Sequence, residues 1–63
     1  MSPHVESFIL PFLFKLGRGV VLTTTLVADL LGYKRRRVYD FFRELEIAGW
    51  LTRKPGGHVW WLA

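Results

Sequence analysis

The stretch "TTTLVADLLGYKRRRVYDFFRELEIAG", residues 23–49, decides the fold. Its first part has apolar residues at helical spacing after three threonines, and threonine hydroxyls suit a helix start. Gly32 is the kind of residue that ends a helix, because glycine adopts a left-handed conformation without strain. Only Tyr33 and Lys34 separate it from a second helical pattern. The stretch therefore predicts two helices joined by a tight turn.

The second of these helices is predicted to run from about Arg35 to Ala48 and to be amphipathic. At 100° per residue, its large apolar side chains fall on one side and most charged ones on the other. The predicted inward side chains of the shorter helix are Leu26, Val27, Leu30 and Leu31. Those of the longer helix are Val38, Phe41, Phe42, Leu45, Ala48 and Gly49, with Arg36, Asp40, Arg43 and Ile47 opposite.

A further helix is predicted to precede this pair. Ser2 and Pro3 suit a helix start, and apolar residues then recur at helical spacing as far as Leu16. Pro11 lies inside the pattern and predicts either a kink or the true start of the helix. The run "VVL" at residues 20–22 favours a short strand.

The C-terminal stretch predicts a β-hairpin. Two runs with strand character, "WLTR" and "HVWWLA", flank "KPGG" at residues 54–57, and proline followed by glycine suits a type II turn. Leu51, Val59 and Trp61 are predicted to face the core. Trp60 is interpreted as either part of the core or a contact with a partner.

These elements predict an α+β fold, namely a winged helix-turn-helix. It has three helices, a C-terminal β-hairpin wing and a short extra strand. The chain is short enough that residues 1–63 are expected to form a single domain. In a helix-turn-helix, the second helix of the pair enters the DNA major groove.

Composition favours a polyanionic partner and a hot environment. Nine Lys and Arg against five Asp and Glu give a net charge of +4, which favours nucleic acid. Cys, Asn and Gln are absent and Met occurs once, a pattern of hyperthermophile proteins. We expect an archaeal or archaeal-virus source and a cytoplasmic, nucleoid-associated protein.

The apolar run "FILPFLFKL" is too short to span a bilayer, which takes about 20 residues, and no membrane partner is expected.

The basic run at the predicted start of the third helix is the candidate site. Arginine forks match the guanine acceptors in the major groove, and guanidinium groups also pair with phosphates. Asp40 follows Arg36 by one turn and can fix its rotamer. Tyr39 can donate to a phosphate. The further candidates for backbone contact or support are Lys34, Arg35, Arg43, Arg53 and Lys54.

Other interpretations of these residues stay open at this stage. A charge run is often only a solvated face. Arg43 could simply pair with Asp40 or Glu46, and Arg53 and Lys54 could simply keep the hairpin turn soluble. His4 and His58 are interpreted as surface residues. No catalytic grouping, cofactor site, small-molecule substrate site or metal site is predicted, and we expect no enzyme.

The stretch "RRRVYD" at residues 35–40 resembles the winged-helix DNA-binding domain of the E2-factor and dimerisation-partner (DP) transcription factors. Arg36, Arg37, Tyr39 and Asp40 match that family's Arg-Arg-x-Tyr-Asp motif, and "LVADLLG" and "LEIAGWLTRK" extend the similarity over about residues 19–62. The resemblance implies DNA base contacts by Arg36 and Arg37, with Tyr39 and Asp40 in support. It also implies dimeric binding to GC-containing sites. The turn "GYK" looks shorter than in the family, and helix 1 is richer in aromatic residues.

The sequence thus predicts sequence-specific double-stranded DNA binding by a small transcriptional regulator. A homodimer is expected, with apolar surface of helix 1 and the tryptophan-bearing strand buried between protomers. The main alternative is a winged-helix protein–protein interaction module in a larger assembly, since a fold alone does not decide function. Structured RNA is a third possibility.

Overall fold

The computed structural model describes all 63 residues. A π-helical segment, Val5–Ile9, continues directly into helix α1, Leu10–Leu16. Helices α2, Thr24–Leu31, and α3, Arg35–Ile47, follow, and strands β1, Leu51–Arg53, and β2, Trp60–Leu62, form an antiparallel sheet. The α+β class is therefore confirmed. No helix in the chain combines the length and apolar character needed to span a membrane.

The first helix changes its geometry where Pro11 enters it. The Leu10 amide donates to the Val5 carbonyl, five residues back, so the turn is wider than an α-helical one. A proline has no amide hydrogen, and its ring crowds the carbonyl four residues earlier, here that of Ser7. The wider turn accommodates this ring, and regular α geometry begins at Leu10. The predicted irregularity at Pro11 therefore takes the form of a π-helical segment.

Helix α2 begins and ends as its sequence predicts. The Thr23 hydroxyl accepts a hydrogen bond from the Leu26 amide at 3.0 Å, which caps the first turn. Gly32 takes a left-handed conformation with φ 74°, and its amide donates to the Ala28 carbonyl at 2.8 Å. Residues 32–34 are then all that separates α2 from α3.

The predicted inward face of α2 was wrong in part. Val27 and Ala28 are buried and Leu31 is half-buried, whereas Leu26 and Leu30 are exposed. The buried stripe follows the pattern i, i+1, i+4 and includes the small Ala28, whose methyl group allows close packing. An eight-residue helix in so short a chain buries only this narrow stripe, and no further element covers the leucines beside it.

Helix α3 buries the predicted face but ends earlier. Val38, Phe42 and Leu45 are fully buried and Phe41 is half-buried. Ala48 and Gly49 were predicted to be inward but are exposed, because the helix ends at Ile47 and Gly49 then has a φ of 87°. This conformation turns the chain away from the helix axis towards β1.

Leu51 of β1 is buried as predicted, but β2 faces the core with the opposite side from the one predicted. Its register pairs Leu51 with Leu62 and Arg53 with Trp60. Trp60 is 1% exposed, whereas Val59 and Trp61, which were predicted to be inward, are 40% and 38% exposed. Since side chains alternate along a strand, turning Trp60 and Leu62 inward necessarily turns their neighbours outward.

The predicted short strand at residues 20–22 is reduced to one bridge. Leu22 and Trp60 exchange two backbone hydrogen bonds of 2.8 Å each, and both side chains are buried. The segment after α1 is thereby attached to β2, but the sheet has only two strands.

The turn at the tip of the hairpin follows the Pro-Gly signal. The Gly57 amide donates to the Lys54 carbonyl at 2.8 Å, and Gly56 has a φ of 73°. Proline at the second position and a positive φ at the third are features of a type II turn.

Two adjacent tryptophans offer a matched test of this register. Trp60→Ala should destabilise the protein by about 3–5 kcal/mol, since it empties the centre of the core. Trp61→Ala removes the same side chain from the outer face and should cost far less at protein concentrations where the chain is monomeric. The measurement is urea unfolding followed by circular dichroism. Equal losses for the two variants would contradict the register.

Candidate nucleic-acid interface

The start of α3 carries four consecutive exposed cations. Lys34 is the N-cap residue in an extended conformation, and Arg35, Arg36 and Arg37 form the first turn. No side chain caps this helix, and no acidic residue lies in its first turn. A helix N-terminus carries a partial positive charge, so cations there are unfavourable and anions favourable. The positive charge is thus concentrated where an isolated helix would avoid it.

Arg36 and Asp40 lie on the outer face of α3. The Arg36 Nε donates to the Asp40 Oδ1 at 3.2 Å across one helical turn, as the sequence predicts. The two side chains are 84% and 60% exposed, so water screens this pair and it contributes little stability. The pair orients the guanidinium without consuming its outward-facing donors.

Arg37 lies on a different side of the helix from Arg36, since consecutive helical residues are 100° apart. Its guanidinium carbon is 5.7 Å from the Tyr33 ring centroid and 5.3 Å from that of Phe41. None of the ion pairs in the molecule includes Arg37 or Arg35.

Two further predicted contact residues share one carboxylate. Glu46 on α3 pairs through Oε1 with Arg43 and through Oε2 with the Arg53 Nε at 3.3 Å. The guanidinium carbon of Arg53 is 4.4 Å from the Trp60 ring centroid, which is close cation–π contact. Arg53 therefore joins the hairpin to α3 and covers the central tryptophan, and its side chain is only 23% exposed.

The remaining predicted contact residues are Tyr39 on α3 and Lys54 at the hairpin tip. Tyr39 is half-buried, with its ring 6.2 Å from that of Trp60. Lys54 is exposed at the tip of the hairpin and has no ion-pair partner.

The sequence did not indicate a cluster of rings beside Arg37. His4, Phe8, Tyr33 and Phe41 come together there, with centroid separations between 5.3 and 6.0 Å. His4 also shares a 3.0 Å hydrogen bond with the Tyr33 hydroxyl. These two residues are 29 positions apart, and no local sequence signal predicts the contact. The pairing of Arg43 with Glu46 was one of the alternatives left open by the sequence, but the pairing of Arg53 with Glu46 was not predicted.

No group of three or more His, Cys, Asp or Glu residues is arranged to hold a metal ion.

Comparison with known protein families, curated proteins and solved structures gives no match. The resemblance to the E2-factor and dimerisation-partner family therefore rests on the Arg36–Asp40 motif and the pattern around it.

The role of Arg53 in attaching the hairpin can be tested by stability. Arg53→Ala should cost about 1–2 kcal/mol, because it removes a largely shielded cation–π contact and the Glu46 partner. Lys54→Ala is the matched control and should change stability little, since Lys54 is an exposed cation without an ion-pair partner. Urea unfolding of both variants measures the difference. Equal effects would show that Arg53 is only a solvated turn charge.

Proposed function

We propose that this protein is a winged-helix DNA-binding protein that inserts α3 into the major groove of double-stranded DNA, with the hairpin as its wing. The order of three helices and a hairpin supports this arrangement, as do the three-residue connection before α3 and the motif at Arg36–Asp40. A role as a small transcriptional regulator is proposed with it.

The observation that carries this proposal is the charge at the start of α3. Lys34 and the next three arginines occupy the N-cap and first turn, with no acidic residue and no cap. Each cation at that position costs helix stability, on the order of a few tenths of a kcal/mol. A polyanion placed there removes the repulsion and also interacts favourably with the helix dipole. The N-terminal residues of a recognition helix are the ones that reach base edges.

Arg36 is the best-placed candidate for base contact. It lies on the outer face, and Asp40 holds its Nε, which leaves the terminal nitrogens free for the O6 and N7 acceptors of guanine. Arg37 is proposed as a second DNA contact next to it.

Phosphate contacts are proposed for the cations around this face. Lys34 and Arg35 flank the helix start, and Lys54 lies at the wing tip. Tyr39 keeps a half-exposed ring between α3 and the hairpin. Arg43 and Arg53 share Glu46, so they are proposed chiefly as support, because a phosphate would have to compete with this carboxylate.

Binding as a homodimer is proposed from the exposed aromatic residues. Phe14 on α1 and Trp50 pack edge to face at 5.6 Å, and each is 38% exposed, as is Trp61 on the outer face of β2. A chain with only 13 buried residues gains stability by covering such surface against a second copy. A dimer would present two recognition helices to two half-sites.

One observation favours a protein-interaction module instead. Ile47 is 78% exposed on the outer face of α3, in line with Asp40 and Arg43. Arg43 is the single cation in the C-terminal half of that helix and pairs with Glu46, so this half is not cationic. Such a face suits a protein partner. Duplex binding that is absent or insensitive to salt would favour this alternative.

The proposed function is tested by measuring duplex binding against salt. The logarithm of the affinity should fall linearly with the logarithm of salt concentration. The slope of this plot should be about −0.9 for each phosphate contacted. Selection from a random duplex pool should enrich a GC-containing motif. Competition with structured RNA tests the third possibility, and stronger RNA binding would contradict the proposal.

The matched variants for this test are Arg36→Ala and Lys15→Ala, both of which remove one exposed cation. Arg36→Ala should cost about 1–3 kcal/mol on the selected sequence and relax the preference at one base pair. Lys15→Ala, on the last turn of α1, should keep that preference.

The dimer is tested by sedimentation equilibrium. The average mass measured for the wild-type protein should exceed the monomer mass of 7.4 kDa. Trp61→Thr should weaken self-association by removing exposed apolar surface. Leu30→Gln is the control, since it removes an exposed apolar residue of α2 that lies outside the proposed interface. A monomeric wild-type protein at every concentration would exclude the homodimer.

A further inference from the structure

Four aromatic and imidazole rings pack together beside the start of α3. His4 comes from the first helical turn, Tyr33 from the connection before α3, and Phe41 from α3 itself. The His4 ring centroid is 5.5 Å from that of Phe41, and the Tyr33 centroid is 5.7 Å from it. Phe8 stacks on His4 at 5.3 Å between centroids. We call these four residues the ring cluster.

Arg37 lies against the ring cluster with its charge uncompensated. Its guanidinium carbon is within 6 Å of two ring centroids, those of Tyr33 and Phe41, and it has no carboxylate partner. Contact with the rings restricts the rotamers of this long side chain. Less conformational entropy is then lost when the guanidinium binds an anion, which is the advantage of preorganisation. Arg36 has no ring contact and is held only by an exposed carboxylate.

Two polar groups lie at the edge of the same cluster. The Tyr33 hydroxyl is 3.0 Å from His4 Nε2, and the His4 side chain is exposed. In the tautomer with hydrogen on Nε2, His4 donates to the Tyr33 oxygen. The phenolic hydrogen is then free to donate outward to an acceptor. Arg37 supplies a guanidinium fork and Tyr33, whose ring it contacts, supplies a hydroxyl donor. These donors suit a phosphate, which has several acceptor oxygens.

We propose that Arg37 and Tyr33, with His4 orienting the tyrosine hydroxyl, form a binding site for a phosphate of the DNA backbone. Arg36 alone of the two motif arginines then reads a base. This inference rests on the proposed function for the identity of the ligand. The division of roles follows from the helix geometry, because Arg37 is held on the flank towards the first helix, whereas Arg36 points from the outer face.

Duplex binding at several salt concentrations distinguishes a phosphate contact by Arg37 from a base contact. Arg37→Ala should lower the affinity for all duplexes by a similar factor and reduce the salt slope by about 0.9. Arg37→Lys should restore the slope because it keeps the charge. Tyr33→Phe should weaken binding about tenfold with no change in sequence preference. Relaxed preference at one base pair with an unchanged slope in Arg37→Ala would overturn the proposal and make Arg37 a base contact.

Titration with inorganic phosphate tests the site without DNA. Nuclear magnetic resonance should show saturable shifts of the Tyr33 and His4 signals in the wild-type protein, and Arg37→Ala should abolish them. Lys15→Ala is the charge-matched control and should retain them. Circular dichroism checks that each variant is folded. If the wild-type protein binds no duplex, the proposed function fails, and this titration still decides the site. Absence of saturable shifts in the wild-type protein would overturn it.

Discussion

The burial of Trp60 is the interaction on which the arrangement of the other elements depends. Its indole packs edge to face on Phe42 of α3, at 5.4 Å between centroids, and its backbone pairs with both Leu22 and Arg53. One residue thus fixes the segment after α1, the hairpin and the third helix relative to each other. Small domains have little apolar surface to bury, so a single large side chain at the centre carries an unusual share of the stability.

This central contact also determines which cations are available at the surface. Arg53 covers the indole and reaches Glu46, and Glu46 in turn holds Arg43. These arginines serve the junction between hairpin and helix, so the net positive charge outside it is concentrated at the start of α3. The attachment of the hairpin therefore adds to the uneven charge that the sequence of α3 already sets. The positive potential is strongest at the first turn of α3 and not at its middle.

The sequence predicted the features that depend on local chemistry. The threonine cap at Thr23, the left-handed Gly32 and the Pro55–Gly56 turn are encoded within a few residues of where they act. The faces of short elements were harder to predict. Strand β2 has three residues with two adjacent tryptophans, and both phases of the strand bury one of them, so pattern alone cannot choose. The choice is made by long-range pairing with Leu22 and by packing on α3.

The candidate site likewise combines features that local sequence predicts with features that only long-range packing determines. The cationic run and the Arg36–Asp40 pair follow from spacing on one helix, whereas the contact between His4 and Tyr33 spans 29 residues and has no local signal. The two motif arginines look equivalent in sequence because they are adjacent. They become different because the rings of Tyr33 and Phe41 lie beside Arg37, whereas Arg36 lies on the open outer face. The Asp40 contact uses only the Arg36 Nε, so Arg36 keeps a carboxylate neighbour while its terminal nitrogens stay free. Arg37 has no carboxylate partner, and an anion can bind it without displacing one.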